Sequence, residues 1–287
     1  MVSVVYEAPD TLEGAVELLA NSKITAKVLA GGTDLLIQMQ GLHEERLVVD
    51  VKKIPSMVEA TLDEEGLSLG PAMPNAALTA REDIKTLFPG LVEAAYLIGS
   101  TQVQGRCSIG GNLCNSSPAA DTIPALIANG AQCVIKGPKG SRTIAAENFV
   151  TGVGRNCLGD GELLAAITVP KPNEKTSDAY LRFIPRTEMD IAVAGAAVSI
   201  TLGSEGVCIA ARVAIGAVAT TALLVPEAAD ALIGSKLDET ALQAAANAAS
   251  KVSNPITDRR GTIEFRKHVV GVLVKRAAKI AADRAGA

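Results

Sequence analysis

Two short segments of the sequence place adjacent glycines among small polar residues. The first is VLAGGTDLL at residues 28–36, and the second is CSIGGNLCNSSPAAD at residues 107–121. Glycine lacks a Cβ and adopts positive φ angles at little cost, so successive backbone N–H groups can converge on an anion such as a pyrophosphate. Each pair alone is more typical of a tight turn. The occurrence of both in one chain favours an anion-binding site that they share.

The side chains around the glycine pairs suit the same chemistry. Thr33 and Asp34 are predicted to cap the helix that follows the first pair, and the start of that helix adds partial positive charge. The second segment supplies groups that hydrogen-bond phosphate oxygens and sugar or ribityl hydroxyls. These groups belong to Ser108, Asn112, Asn115, Ser116, Ser117 and Asp121.

Familiar catalytic and metal-binding patterns do not occur in the sequence. His43 and His268 lie far apart, and we interpret both as solvated or core-edge residues. The five cysteines are scattered without a CxxC pair, so neither zinc nor an iron–sulfur cluster has its ligand spacing. Residues 152–154, GVG, lack the third glycine of a dinucleotide fingerprint, and no GxSxG elbow occurs. The sequence predicts no catalytic residue and no metal site.

Elements in the first fifty residues must position the first glycine pair. An apolar pattern after Thr11 predicts a helix, and a strand is predicted at Ala26 to Leu29, directly before the glycines. A second helix is predicted from Leu35 to Gly41, and a buried strand from Leu47 to Val51. Residues 1–52 are therefore predicted to form a small βαβ-like subdomain.

Residues 53–172 are predicted as a second subdomain of mixed α+β type, which contains the second glycine pair in a loop. The predicted strands are Glu59–Leu62, Gly66–Gly70, Gln132–Lys136 and Leu163–Val169, and the predicted helices are Ala76–Leu87 and Gly90–Ile98.

Residues 173–287 are predicted as a C-terminal domain that follows a connection at 170–175. Ala192–Leu202 and Val207–Ile215 are predicted as antiparallel strands. Two alanine-rich segments, Glu239–Ala249 and Ile263–Ala282, are predicted as helices.

The composition excludes several function classes. The chain has 287 residues, enough for about two domains, and a formal net charge of -4. This balance gives no charge-driven reason to bind nucleic acid, and an aromatic content of 2% without tryptophan argues against a base-stacking surface. The first residues lack signal-peptide features, and the apolar run 207–225 is interrupted by polar residues and predicts core strand and turn. We expect a cytoplasmic protein with reduced thiols and no membrane insertion.

Four segments, in their order along the chain, resemble the FAD-binding medium subunit of molybdenum hydroxylases, the group that includes xanthine and carbon monoxide dehydrogenases. The glycine segments resemble the AGGTDLL or AGGHS and the SIGGN or TIGGN patterns of that family. Residues 161–164, GELL, match a third motif, and Arg182 with residues 186–192, RTEMDIA, resembles a fourth. Without the resemblance, Arg182, Glu188 and Asp190 indicate a surface ion-pair cluster.

The resemblance spans nearly the whole chain and implies a fold. That fold is α+β, with an FAD-binding part of the vanillyl-alcohol-oxidase/PCMH type followed by a C-terminal three-stranded antiparallel sheet with helices. FAD would lie between the first two subdomains. Ala30–Asp34 and Ser108–Asn112 would enclose its pyrophosphate from two sides, and Asn115 and Asp121 would hold the ribityl chain and nearby groups.

The flavin ring would be surrounded by other residues. The resemblance implies that Val103, Leu163 and Leu164 line its apolar surroundings and that Arg182 lies near its polar edge. The complete expected FAD-binding set is Leu29, Ala30, Gly31, Gly32, Thr33, Asp34, Leu35, Val103, Ser108, Ile109, Gly110, Gly111, Asn112, Asn115, Asp121, Leu163, Leu164 and Arg182.

The resemblance also implies partners. A small subunit would carry two [2Fe–2S] clusters and a large subunit the molybdopterin cofactor, in a heterotrimer or a dimer of heterotrimers. Electrons would pass from the substrate at molybdenum through the clusters to FAD and then to an external acceptor. Two alternatives stay open at this point: a stand-alone FAD oxidoreductase, and a flavin-free assembly or interaction subunit of the same fold.

Overall fold

Three parallel strands form the first sheet. In the computed structural model, which describes residues 4–40 and 43–286, the strands are β1 (Val4–Glu7), β2 (Thr25–Leu29) and β3 (Arg46–Asp50). Both outer strands pair in parallel with β3, so the order is β1-β3-β2. Helix α1 (Leu12–Asn21) joins β1 to β2, and α2 (Leu35–Gln38) follows β2. The βαβ character expected for this region is present, and Gly41, the predicted end of the second helix, lies outside the described residues.

Helix α1 begins where the sequence predicts. The Thr11 hydroxyl accepts a hydrogen bond from the Gly14 backbone N–H at 3.1 Å, which satisfies a donor that the helix itself leaves free. Ala15 and Val16 are buried in a cluster with residues of β3. Burial of one apolar face thus fixes α1 against the sheet.

The middle of the chain forms an antiparallel sheet and a small hairpin. Its strands are β4 (Ala60–Leu62), β5 (Gly66–Leu69), β6 (Gln132–Gly137), β7 (Gly140–Ala145), β8 (Val150–Gly152), β9 (Arg155–Asn156) and β10 (Leu163–Pro170). Strands β8 and β9 pair with each other, and the other five form one sheet in the order β4-β5-β10-β6-β7. Its helices are α3 (Pro55–Val58), α4 (Asn75–Thr79), α5 (Glu82–Leu87), α6 (Pro89–Tyr96), α7 (Thr101–Gln104), α8 (Ile109–Asn115) and α9 (Thr122–Ala128).

Several predictions for this region need correction. The predicted helix at 76–87 is divided into α4 and α5, because Arg81 is extended and its guanidinium donates to the Ala60 carbonyl and to Asp83. The second glycine pair is not in a loop but in the first turn of α8. Helix α9 was not predicted, because all seven of its residues are buried and the segment has no polar face that would reveal a helical period.

A second antiparallel sheet forms the C-terminal part. Its strands are β11 (Thr176–Phe183), β12 (Ala194–Leu202), β13 (Cys208–Gly216) and β14 (Leu223–Leu224), in that spatial order. The expected three-stranded sheet corresponds to the three long strands, and β14 adds a fourth that is too short for a sequence pattern to reveal. Helices α10 (Pro226–Leu232), α11 (Glu239–Val252) and α12 (Ile263–Gly286) follow.

The three sheets share their cores. Leu163 of β10 packs with the first sheet, whereas Tyr180 of β11 packs in the cluster of the middle sheet. The carboxylate of Asp178 accepts hydrogen bonds from the backbone N–H groups of Gly90 and Leu91 at the start of α6. Burial raises the pKa of Asp178 to about 6. The C-terminal sheet is thus fixed to the middle region by apolar and polar contacts.

The apolar run at 207–225 is built into this sheet, as predicted. It supplies β13, which is buried at its end, and the short strand β14. Among residues 4–40 and 43–286, no helix combines the length and the apolar character needed to cross a membrane.

Candidate functional site

The first glycine pair lies in the coil between β2 and α2. Gly32 has a φ of +81°, which is in the left-handed region that favours glycine. Within the described residues, the backbone N–H groups of residues 31–34 have no hydrogen-bond acceptor. Four adjacent donors without partners make this coil able to bind an anion.

The predicted caps for α2 are not formed. The Asp34 side chain makes no capping hydrogen bond, because its backbone is helical, with φ -99° and ψ -47°, rather than extended as a cap requires. Partial desolvation raises the pKa of Asp34, although the residue is exposed. The first coil therefore offers backbone donors without help from a capping side chain.

The two glycine segments touch each other. A Cβ added at Gly31 would lie 1.8 Å from the carbonyl oxygen of Arg106 and 3.0 Å from the Cα of Cys107. The Gln38 side-chain amide, just beyond the first coil, donates to Asn115 Oδ1 at 2.9 Å. The structure thus brings together the two segments that are predicted to share one site.

The second glycine pair belongs to a capped helix end. The Ser108 hydroxyl accepts from the Gly111 N–H at 3.1 Å, and the bridge between Pro74 and Ser108 directs the Ile109 N–H to the Met73 carbonyl. The Gly110 N–H has no acceptor within the described residues. A Cβ added at Gly110 would lie 2.5 Å from the carbonyl oxygen of Pro71. One donor without an acceptor, the Gly110 N–H, therefore lies in the first turn of a helix that packs closely on Pro71.

Gly111 is different because it faces free space. A Cβ at this position would meet the Ser108 hydroxyl at 3.0 Å, and no other atom beyond its immediate surroundings in the helix lies within 4 Å. Close by, Asn112 Oδ1 accepts from the Thr122 hydroxyl at 2.7 Å, which fixes the amide of Asn112. The start of α8 thus has free space beside Gly111, and the side-chain amide of Asn112 is held in one orientation.

A buried ion pair links this region to the C-terminal sheet. Asp121 Oδ2 accepts from Arg182 Nη1 at 2.6 Å, and Asp121 Oδ1 accepts from the Tyr180 hydroxyl at 2.7 Å. Both charged side chains are more than nine-tenths buried. Burial raises the pKa of Asp121, and Arg182 and Tyr180 act against that rise. Burial and the neighbouring carboxylate raise the pKa of Tyr180, so its hydroxyl stays protonated and donates.

Arg182 also carries an unpartnered atom. Its Nε is buried and has no hydrogen-bond acceptor among the described residues. Arg182 does not belong to a surface cluster with Glu188 and Asp190, which the residues alone indicated. Asp190 instead pairs with Arg186, its Oδ2 lying 3.3 Å from Arg186 Nε.

The predicted apolar residues do not lie together. Leu163 and Leu164 are adjacent in β10, so their side chains point to opposite faces of the sheet, and they pack in different core clusters. A ligand on one face of this strand therefore reaches only one of them. Val103 lies in α7, and its carbonyl accepts from the N–H groups of Arg106 and Cys107 at the entry to the second segment.

The cysteines near the site are free and protonated. Burial raises the pKa of Cys107 to about 11 and that of Cys114 and of Cys133 to about 12. Within the part of the chain that the structure describes, no group of three or more His, Cys, Asp or Glu side chains could hold a metal ion.

Three residues that position the site were not predicted. Gln38 bridges the segments, Tyr180 orients Asp121, and Lys52 donates from Nζ to the carbonyl oxygen of Ala30 at 2.8 Å. Tyr180 could have been found from its place two residues before Arg182, since alternate residues of a strand share a face. Nothing in the sequence pattern connects Lys52 with Ala30, which precedes it by 22 positions.

Two sequence families account for most of the chain. Residues 2–172 match the family described as FAD binding domain in molybdopterin dehydrogenase, and residues 179–281 match the CO dehydrogenase flavoprotein C-terminal domain. The chain belongs to the FAD-binding medium subunits of the molybdenum hydroxylases. This membership confirms the resemblance drawn from the four segments and the fold class that it implied.

Relatives of this medium-subunit family match over almost their whole length. The carbon monoxide dehydrogenase medium chain of Afipia carboxidovorans is 33% identical over 282 residues, which cover 98% of this chain and 97% of that one. The xanthine dehydrogenase FAD-binding subunit of Escherichia coli is 30% identical over 284 residues, with 98% and 97% covered. Both are subunits of oxidoreductases, and so is this chain.

Solved structures of the family agree with the fold. A chain of the reconstituted CO dehydrogenase from Oligotropha carboxidovorans superposes with a TM-score of 0.93 at 31% identity, over 99% of this chain and 100% of that one. Quinoline 2-oxidoreductase from Pseudomonas putida contains a chain with a TM-score of 0.90 at 26% identity, over 99% and 98%. The arrangement of sheets described above is therefore that of the family.

Proposed function

We propose that this chain is the flavoprotein subunit of a molybdenum-containing hydroxylase or dehydrogenase. In this role it binds FAD, receives electrons from the [2Fe–2S] clusters of a small partner subunit and passes them to an external acceptor. Substrate oxidation takes place on a large subunit that carries the molybdopterin cofactor, in a heterotrimer or a dimer of heterotrimers. Support comes from the family membership and from relatives that are named as medium chains and FAD-binding subunits.

One structural observation carries the FAD proposal. The unpaired N–H groups of residues 31–34 lie against the segment whose helix start leaves the Gly110 N–H unpaired as well. A pyrophosphate has enough oxygens to accept hydrogen bonds from all of these N–H groups, which have no acceptor without it. We propose Ala30–Asp34 and Ser108–Asn112, with Leu29 and Leu35 beside the first coil, as the pyrophosphate site.

Other residues suit the remaining parts of FAD. Arg182 has a buried Nε without an acceptor, which is a donor that a flavin carbonyl or ring nitrogen satisfies. The open space at Gly111 leaves room for a ligand beside the Asn112 amide. We assign Asn115 and Asp121 to the ribityl region, Arg182 to the polar edge of the flavin, and Val103 with Leu163 or Leu164 to its apolar surroundings.

Asp121, Tyr180 and Arg182 have separate roles in this proposed function. When bound, FAD supplies a store for two electrons that can be filled singly and emptied as a pair. Asp121 holds the Arg182 guanidinium in place, and Tyr180 orients Asp121 by donating to its second oxygen. Arg182 thus provides a fixed positive charge that needs no rearrangement when negative charge develops near it.

The domain organisation and location follow the same proposal. We propose an N-terminal FAD-binding subdomain at 1–52, a middle FAD-binding subdomain at 53–172 and a C-terminal domain at 173–287. Five free thiols are compatible with a reducing compartment, and we propose a cytoplasmic location.

Titration of the full-length chain with FAD tests the proposal. Binding is followed by quenching of flavin fluorescence and by the change in melting temperature. Gly111→Leu fills the open space without meeting backbone, so we expect FAD affinity to fall by at least about tenfold while the apoprotein stays folded. Gly105→Leu is the control, because a Cβ there meets no atom closer than 3.5 Å. Absence of flavin from the purified native complex would contradict the function.

A further inference from the structure

A chain of hydrogen bonds from Tyr6 through Asp50 and Lys52 ends at the first glycine coil. The Tyr6 hydroxyl donates to Asp50 Oδ2 at 2.8 Å, and Lys52 Nζ donates to Asp50 Oδ1 at 2.7 Å. The same ammonium group donates to the carbonyl oxygen of Ala30 at 2.8 Å. Lys52, in the turn after β3, thus contacts a carbonyl of the coil, while Asp50 at the end of β3 contacts Lys52 and Tyr6 of β1 contacts Asp50.

The geometry of this support is well defined. Asp50 is 8% exposed, and its Oδ1 also accepts from the Lys52 backbone N–H at 3.0 Å, so it holds both ends of the lysine. Burial of Asp50 opposes ionisation, but the hydrogen bonds from Lys52 and Tyr6 outweigh it and lower the pKa of Asp50. The Asp50 carboxylate is therefore ionised at neutral pH, and its hydrogen bonds restrain the Lys52 side chain.

The bond to Ala30 acts on the next donor in the coil. The peptide unit between Ala30 and Gly31 is trans, so the Gly31 N–H points away from the Ala30 carbonyl oxygen. Fixing that oxygen therefore fixes the direction of the Gly31 N–H. A cation bonded to the carbonyl also polarises the peptide and strengthens its N–H as a donor.

From this arrangement we propose that Lys52 is a positioning residue for pyrophosphate binding. It acts through the Ala30–Gly31 peptide: it orients and polarises the Gly31 N–H, which is the first of the four unpaired donors. Asp50 holds Lys52, and Tyr6 completes the support. This inference rests on the proposed function, because it takes the FAD pyrophosphate as the ligand of the coil.

The neighbouring lysine supplies a matched comparison. Lys53 is exposed and its side chain makes no hydrogen bond or ion pair within the described residues. Lys52→Met and Lys53→Met therefore make the same change in charge and side chain one position apart. A general effect of positive charge on FAD binding would appear in both variants, whereas the proposed effect belongs to Lys52 alone.

The experiment measures the affinity of the full-length chain for FAD and for ADP, which shares the pyrophosphate but has no flavin. We expect Lys52→Met to weaken both ligands by about tenfold, the size of one charge-assisted hydrogen bond. Lys52→Arg keeps a cationic donor and should stay within about threefold of wild type, as should Lys53→Met. The ³¹P resonances of bound FAD should shift in Lys52→Met and stay unchanged in Lys53→Met. A lysine that only stabilised the fold would leave these resonances unchanged in both variants.

The outcomes separate this inference from the function on which it rests. If the wild-type chain and its complex bind no FAD, the proposed function fails and the inference fails with it. If the wild type binds FAD and Lys52→Met binds it equally well, or if both methionine variants weaken it equally, only the inference is overturned. Should Lys52→Met not fold, Lys52→Gln replaces it, since the amide retains a donor but lacks the charge, and FAD affinity equal to wild type would contradict the role of the charge.

Discussion

The two glycine pairs have different physical reasons for their glycines. In the first, Gly31 is required by the close approach of the Arg106 carbonyl, and Gly32 by a positive φ. In the second, Gly110 is required by the close approach of Pro71, whereas Gly111 has a helical backbone and faces free space. Each pair therefore contains a glycine needed for packing, and only the second contains a glycine with room for a ligand beside it.

The supports of the two segments also differ. The second segment is self-supporting, because the Ser108 hydroxyl caps the helix that contains the glycines. The first is a coil without a cap, and it is held by Lys52 from behind and by the second segment in front. We infer that the second segment is a rigid half of the site and that the order of the first depends on its neighbours.

Disrupting the contact at Gly31 should lower the stability of the fold more than any other change considered. Gly31→Ala would place a Cβ 1.8 Å from the Arg106 carbonyl oxygen, so one of the two backbones must move. We expect the free energy of unfolding to fall by about 4 kcal/mol or more, measured by urea denaturation. Gly105→Ala is the control, because its φ of -66° is ordinary and its surroundings are open. A stability for Gly31→Ala close to that of the control would mean that the segments do not touch in solution.

Breaking the buried ion pair between Asp121 and Arg182 should cause the next largest loss of stability. Arg182→Met leaves the Asp121 carboxylate buried without its cation, and we expect a loss of about 3 kcal/mol in the free energy of unfolding. The double variant with Asp121→Asn should lose less than the sum of the two single variants, because it leaves no unpaired charge. Additive losses in this cycle would show that the two side chains do not interact.

Much of this arrangement was predictable from the sequence, but the reasons for it were not. The contact between the two glycine segments could be expected because each places adjacent glycines among small polar residues, and the helix at Thr11 and the strands at Leu47 and Leu163 follow from local patterns. The separation of Leu163 and Leu164 was also available, since neighbours in a strand face opposite sides. Contacts such as Gly31 with Arg106 depend on the tertiary packing of distant segments, and no local pattern contains that information.

Replacing Gly32, whose backbone is in the left-handed region, should cause a moderate loss of stability. Gly32→Ala forces a Cβ into a backbone region that costs about 1–2 kcal/mol, with the Leu29 side chain 3.0 Å away. Gly32→Asn should lose less through the backbone, because asparagine tolerates positive φ better than alanine. Thermal unfolding of both variants tests this order. If alanine is the better tolerated of the two, crowding at Leu29 rather than φ determines the cost.

The bridge between Gln38 and Asn115 should have the smallest effect. Gln38→Ala removes one exposed hydrogen bond, so we expect a loss of about 0.5–1 kcal/mol in the free energy of unfolding. Gln40→Ala is the matched control, since that side chain is exposed and makes no hydrogen bond within the described residues. Equal stabilities of the two variants would show that Lys52 and the Gly31 contact suffice to hold the first coil.

The burial of the thiols beside the site has a consequence for its durability. Peroxide oxidises the thiolate form of cysteine, and a thiol whose pKa is about 11 is ionised in only about one molecule in ten thousand at neutral pH. Cys107 adjoins the contact between the glycine segments and Cys114 lies in the helix that follows, yet both are kept in the unreactive form. A subunit of an oxidoreductase thereby keeps the thiols beside its candidate site in the form that oxidants attack slowly, and we expect slow labelling of both thiols by iodoacetamide until the chain unfolds.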